Sequence, residues 1–284
     1  MDRSTHTKYI IAAIAFVIIT VAIYFLFIFQ KSPPKTKSQE TSGEVKELAD
    51  LTIADRPYVT LTPTTDGAEI IISIENMSKF DRIEYELTYL ADNPQIAGDK
   101  LTRGATGTDI NTKDPKYKKS ILLGTASRGV RSPDTGIADG KLTMHMFKQD
   151  EEYQSETAWT LNHIGLSAST IGDKEGNFSM DVPSLGKYFW VIVADTVGLP
   201  PNVTDFDGSG AVLPVYGTFS IAPKFLATAT LTIKLDGEFL SPELFAYNHQ
   251  DGTVEKLQGT YNASANTLNA DVLNFATYVV VSSQ

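Results

Sequence analysis

Apolar side chains recur at every second residue along most of this chain, and that period decides what it can fold into. Residues 82–89 set Ile83, Tyr85, Leu87 and Tyr89 against Arg82, Glu84, Glu86 and Thr88. Successive residues of a strand point to opposite faces, so such a segment has one dry and one wet side, as in an antiparallel sheet. Residues 69–75 place Ile70, Ile72 and Ile74 on one face, and residues 76–80 between the two segments read as a hairpin loop. Further strands are expected at 120–123, 141–147, 159–167, 178–182 and 188–194. The last of these, YFWVIVA, is apolar on both faces and reads as a central strand. Residues 172–176 (GDKEG) read as a tight turn, whereas residues 92–119 are polar and carry no strand signal.

After a strand at 213–221, Ala222-Pro223 marks an expected boundary and a second series begins. Residues 225–235 alternate, with Phe225, Ala227, Ala229, Leu231, Ile233 and Leu235 on one side. Segments 244–247, 254–257, 267–272 and 275–281 follow, with a Gly-containing hairpin loop at 249–252. No amphipathic helix exceeds about two turns. Many short strands separated by Gly, Pro and Asn turns imply a β-sandwich.

A different signal stands ahead of these strands. Residues 9–29, opening on Tyr9 and closing on Phe29, contain no charge, Pro or Gly. At about 1.5 Å per residue they would span roughly 31 Å, the thickness of a hydrocarbon layer. Lys8 and Lys31 flank the run, and no small-residue cleavage site closes it. The expectation is a single-pass transmembrane helix whose lipid-bilayer partner is met through Tyr9–Phe29. Residues 1–8 form a short tail and 30–56, with Pro33-Pro34, a polar tether. A domain at 57–221 and a module at 222–284 complete the expected organisation, facing outward from a cell membrane.

Charge and cysteine usage remove whole classes of function. The net charge is −10, and five of the 24 basic residues lie within residues 1–37 beside a single acidic one. The remaining chain is therefore strongly acidic and repels phosphate backbones, which excludes nucleic acid as the expected partner. There is no Cys, so disulfide frameworks, Cys-based zinc sites and thiol catalysis are excluded.

The last sixty or so residues carry a resemblance. A Thr-rich strand at 229–235 is followed by Leu244-Phe245-Ala246-Tyr247, by Asp251-Gly252 ahead of Val254-Glu255-Lys256-Leu257, and by Leu273-Asn274-Phe275-Ala276-Thr277-Tyr278-Val279-Val280. This order resembles the β-module that closes many bacterial surface and secreted proteins, similar to the C-terminal part of ZU5-like domains. Autoproteolytic relatives carry a His-Phe-Ser triplet, and Asn274, Phe275 and Ala276 stand at the matching positions. Base and hydroxyl are both missing, so the resemblance implies a structural module that does not cleave itself. Residues 57–221 look Ig-like or fibronectin-III-like.

Candidate chemistry is sparse. Asp205, Asp207 and Ser209, with Gly210 sixth in the run, match the opening of a calcium loop. The bidentate Glu expected at the twelfth position is replaced by Tyr216, and an acidic Gly-rich turn is the alternative. His6, His145, His163 and His249 are scattered, so a zinc site is not expected. Ser127 lacks the context of a nucleophile elbow. Trp159, Tyr188, Phe189 and Trp190 read as core before they read as a carbohydrate platform. The reading that follows is a mainly-β, non-enzymatic, membrane-anchored cell-surface protein with no cofactor, binding a protein or carbohydrate in the envelope or acting as a spacer. The rival class is an envelope carbohydrate hydrolase, which a strand-lined cleft with two nearby carboxylates would favour. A scaffold facing the cytoplasm is the third.

Overall fold

Alternation is realised as strands almost throughout. The computed structural model describes residues 45–201, 203 and 210–282, all within one compact unit, Gly43–Gln284. The described chain opens with β1 (Val45–Glu47) and two 3-10 turns, Leu48–Asp50 and Ile53–Asp55. Next come β2 (Tyr58–Pro63), β3 (Glu69–Glu75), β4 (Arg82–Asp92), β5 (Lys100–Gly107) and β6 (Lys116–Leu122). A small hairpin of β7 (Gly124–Ser127) and β8 (Val130–Pro133) precedes β9 (Ala138–Lys148) and β10 (Glu151–Ile164). The second half holds β11 (Ser169–Gly172), β12 (Phe178–Val182), β13 (Phe189–Thr196), β14 (Ala211–Phe219) and β15 (Ala229–Lys234). It ends with β16 (Glu243–Tyr247), β17 (Val254–Leu257), β18 (Gly259–Asn262), β19 (Thr267–Val272) and β20 (Thr277–Val281).

One ten-stranded sheet organises the rest. Its order is β17-β16-β20-β14-β13-β10-β9-β4-β5, with β1 added parallel to the start of β10. Smaller sheets, β2-β3-β6 and β11-β12-β15-β19-β18, pack against it. The side chains of β13 show where they lie. Ile192 and Ala194 enter a core with Ile70, Ile72, Ile74, Tyr85, Leu87 and Met144. Val191 and Val193 enter a second core with Phe178, Met180, Leu231 and Tyr278. Neighbours along a strand face opposite ways, so the two small sheets cover opposite faces of the large one. Ile70, Ile72 and Ile74 are each 0% exposed, a burial of roughly 2 kcal/mol apiece.

Several sequence expectations change. Residues 76–80 are not a hairpin: β3 pairs with β2 and β6, whereas β4 pairs with β5 and β9. The two apolar faces meet face to face instead of extending one sheet. Asn76 makes the crossover, with a positive φ of 59° and its amide donating to the carbonyls of Ala54 and Arg56 at 2.9 Å each. The polar stretch 92–119 holds β5 and the start of β6. Its strand was hidden because β5 is an edge, buried at Gly107 and otherwise exposed or half-buried.

The Ig-like expectation is corrected too. An Ig sandwich closes one core between two sheets, and here one sheet serves two cores. Strands after residue 222 are shared between both layers: β16, β17 and β20 extend the ten-stranded sheet, while β15, β18 and β19 join β11 and β12. Ala222-Pro223 marks the place where the chain leaves one sheet for the other. Residues 45–56, expected in the tether, are folded onto the domain. Arg56 is buried and donates to the Leu51 carbonyl from Nε (3.1 Å) and Nη2 (3.0 Å).

The apolar stretch 9–29 lies outside the described residues. Among the described residues no helix is long and apolar enough to cross a membrane. The single-pass anchor, its lipid partner through Tyr9–Phe29 and the cell-membrane, cell-surface placement are therefore withdrawn. A β-rich globular domain stands in their place.

Candidate functional site

The outward face of the three-stranded sheet should be wet by its alternation, yet part of it is covered. Tyr58, Thr60 and Thr62 of β2, Ile71, Ser73 and Glu75 of β3, and Lys116 and Lys118 of β6 form one wall of a groove. Ile221, Tyr247 and His249 form the other, and the groove's volume is about 260 Å³. Strand register sets the first wall in rows. Tyr58 lies opposite Glu75 and Glu75 opposite Lys116; Thr60 lies opposite Ser73 and Ser73 opposite Lys118. Directly opposed residues hold their Cβ atoms about 5 Å apart, so each row acts as a unit.

The first row is internally satisfied. Lys116 Nζ meets a Glu75 carboxylate oxygen at 2.8 Å. The Tyr58 hydroxyl lies 2.7 Å from Thr277 Oγ1, which lies 2.8 Å from His249 Nε2. Either direction of donation satisfies all three groups. Burial, with a smaller push from the Lys116 charge, drives the His249 pKa down to about 3, so the ring stays neutral. Tyr58 also meets the Tyr247 ring edge-on at 5.9 Å. These contacts fasten the three-stranded sheet to β16 and β20.

The second row is not satisfied. Ser73 is only 6% exposed, and its hydroxyl has no hydrogen-bond partner. A buried, unmade hydrogen bond costs about 1–3 kcal/mol. The two hydroxyls therefore predict opposite outcomes in urea unfolding. Tyr58→Phe should lower stability by about 1 kcal/mol, because it breaks a buried bond, whereas Ser73→Ala should leave stability unchanged or slightly raised. A Ser73→Ala loss as large as that of Tyr58→Phe would show that this hydroxyl is already bonded.

A larger cleft of about 520 Å³ opens where β9 leaves β10, lined by Asp139, Lys141, Glu156, Trp159, Lys174 and Glu175 among others. Its charges are mostly paired: Lys141 bonds Glu156 at 2.7 Å and Lys174 bonds Asp139. Lys174 holds the Asp139 carboxyl below the usual carboxylate range. Trp159 belongs to the first core, 6.1 Å from the Tyr89 ring, and packs so flat on Gly140 that a Cβ there would sit 2.2 Å from the indole. Nearby, Asp195 on β13 has its pKa raised to about 7 by burial and then by the charges of Asp173 and Glu175.

The residues singled out from sequence fall as follows. Asp205, Asp207 and Ser209 lie outside the described residues. Tyr216, at the twelfth position of that calcium pattern, is buried in the second core. Among the described residues no three His, Asp or Glu side chains are grouped to hold a metal ion. His145 bonds Glu152 at 2.9 Å. His163 is stacked between Tyr188 at 4.8 Å and Trp190 at 4.4 Å. Trp159 and Phe189 are core, whereas Tyr188 is exposed. Phe275 and Ala276 are buried, and Thr218 Oγ1 accepts from the Ala276 amide at 3.0 Å, a structural role for the stretch matching the triplet. Sequence reasoning placed His249 in a hairpin loop and passed over Ser73, Thr60 and Lys118. Thr60 and Ser73 stand on the polar faces of β2 and β3, whereas Lys118 on β6 falls in the stretch 92–119 that carries no strand signal.

No protein-family model matches this chain. No curated protein matches it either. The Ig-like, fibronectin-III-like and ZU5-like resemblance is overturned by that result, and what stands is a mainly-β, multi-sheet globular domain.

Proposed function

We propose that this protein is a non-catalytic binding domain whose groove between the three-stranded sheet and β16–β20 takes a small polar ligand. The observation that carries the reading is the Ser73 hydroxyl, buried and without a partner at a groove wall. A ligand atom there would remove the cost of that unmade bond. The non-catalytic half of the reading rests on the other polar groups. Glu75, the one carboxylate among the lining residues, is spent on Lys116, and the neutral His249 is engaged by Thr277. Acid–base catalysis needs a group with a pKa near the working pH and a vacant lone pair or proton, and this groove offers none.

The test is amide chemical-shift mapping on the full chain with four probes, each alone: inorganic phosphate, citrate, spermidine and myo-inositol. At least one should give saturable shifts at Thr60, Ser73, Lys118 and Tyr247. Four probes with no saturable shift at those amides would refute the groove as a binding site.

The hydrolase reading draws on the carboxylates of the larger cleft, Asp139, Glu156 and Glu175. It is the weaker of the two, because a glycosidase acid must hold a proton at working pH and Lys174 holds Asp139 ionised.

A further inference from the structure

We infer that the groove's ligand is a small oxyanion, carrying a carboxylate or phosphate group, gripped by the Thr60–Ser73–Lys118 row. This rests on the groove being a binding site. Three observations lead to it. First, register places Thr60 beside Ser73 and Ser73 beside Lys118 on one face of three adjacent strands. With Cβ spacings of about 5 Å, two hydroxyls and an ammonium share a stretch of about 10 Å on one face, short enough for a single small anion to be reached by more than one of them. Second, Lys118 has no carboxylate partner among the described residues, and neither Thr60 nor Thr62 spends its hydroxyl on a neighbour, so the row presents unspent donors. An ammonium donates and never accepts, which sets the polarity of what it binds.

Third, the local charge is reversed. The whole chain carries −10, yet the groove is lined by two lysines and one glutamate, and Glu75 is already neutralised by Lys116. Positive charge in a concave site focuses an attractive field for anions, where the rest of the surface repels them. On the facing wall the Tyr247 hydroxyl adds a further donor: burial and then the Glu75 charge hold its pKa above the ordinary phenol value, so it keeps its proton. His249 stays uncharged and completes the wall without adding a competing ion.

The experiment is isothermal titration of the full chain at low salt with phosphate, citrate, spermidine and myo-inositol in separate runs, repeated on Lys118→Met, Ser73→Ala and the control Lys234→Met, exposed on β15 of the sheet that covers the opposite face. Phosphate, citrate or both should bind, and affinity should fall as salt rises. Lys118→Met should weaken binding by about tenfold or more, because it removes an ion-assisted hydrogen bond. Ser73→Ala should weaken it several-fold, and Lys234→Met should leave it unchanged. Citrate binding without phosphate binding assigns a carboxylate ligand, and the reverse assigns a phosphate ligand. Spermidine or inositol shifting the groove amides while both anions fail would overturn the anion and leave the groove standing. Anion binding indifferent to Lys118→Met and Ser73→Ala would place the anion elsewhere and overturn the inference. Silence from all four probes would overturn both readings.

Discussion

Asp195→Asn should stabilise the protein by about 2 kcal/mol at pH 8 and leave it unchanged near pH 4. Asp195 lies on the β13 face that carries Val191 and Val193 into the second core, opposite Tyr216 in register. Burial disfavours its charged form, and Asp173 and Glu175 add like charge, which together raise its pKa to about 7. In the unfolded chain the same group titrates near its ordinary value of about 3.9. Between those two values the folded state binds the extra proton, so stability falls as pH rises from about 4 to about 7 and stays reduced above that. The full shift corresponds to about 4 kcal/mol, and relaxation of the site toward water lowers the expected effect to about half. His249 acts in the opposite sense. Its pKa is depressed to about 3, so its contribution is lost as pH falls below the ordinary histidine value. Comparing the two chains at the same pH cancels that effect. Urea unfolding of both at each pH makes the measurement. Equal gains at pH 4 and pH 8 would mean that something other than ionisation of Asp195 is being relieved.

What the sequence disclosed is what period and burial control together. β3, β4, β12 and β19 follow directly from alternation, and β13 was legible as a central strand because Val191, Ile192, Val193 and Ala194 leave no wet face. The turn at 172–176 joins β11 to β12 as its Gly and Asp content implied. What stayed hidden was which strands pair and what covers them. An apolar stripe on β3 and another on β4 fit a hairpin or a face-to-face contact equally well, and local pattern does not choose between them. β5 carries Thr and Gly along an edge, so it has no stripe to read. The groove was hidden for a third reason. Ser73 stands on the face of β3 that alternation marks as wet, and only the long-range arrival of Tyr247 and His249 turns that face into a wall. His249, read alone, was a loop histidine; its neighbours Thr277 and Phe219 are distant in sequence, and the Phe219 ring lies 4.9 Å away.

Phe178→Ala should cost about 3–5 kcal/mol and should take both cores down together. Phe178 is fully buried in the second core, with Tyr216 at 5.0 Å and Tyr278 at 6.0 Å, so deleting its ring empties a space bounded by aromatic side chains that cannot easily collapse. The consequence for the first core follows from β13. Val191 and Val193 belong to one core and Ile192 and Ala194 to the other, so the strand cannot lose its partners on one face and keep its register on the other. The sequence supplies a reporter suited to this question. Its two tryptophans both lie on the far side from Phe178: Trp159 is in the first core, and Trp190 stacks on His163 and covers Gly67 of the β2–β3 turn. Tryptophan fluorescence therefore follows the first core, while far-ultraviolet dichroism follows all the sheets. A single cooperative unit predicts that the substitution shifts both signals to the same lower urea midpoint. A fluorescence midpoint left at the wild-type value, with dichroism alone moving early, would show two independently folding halves. In that case β13 would be a shared wall and not a mechanical coupling between them.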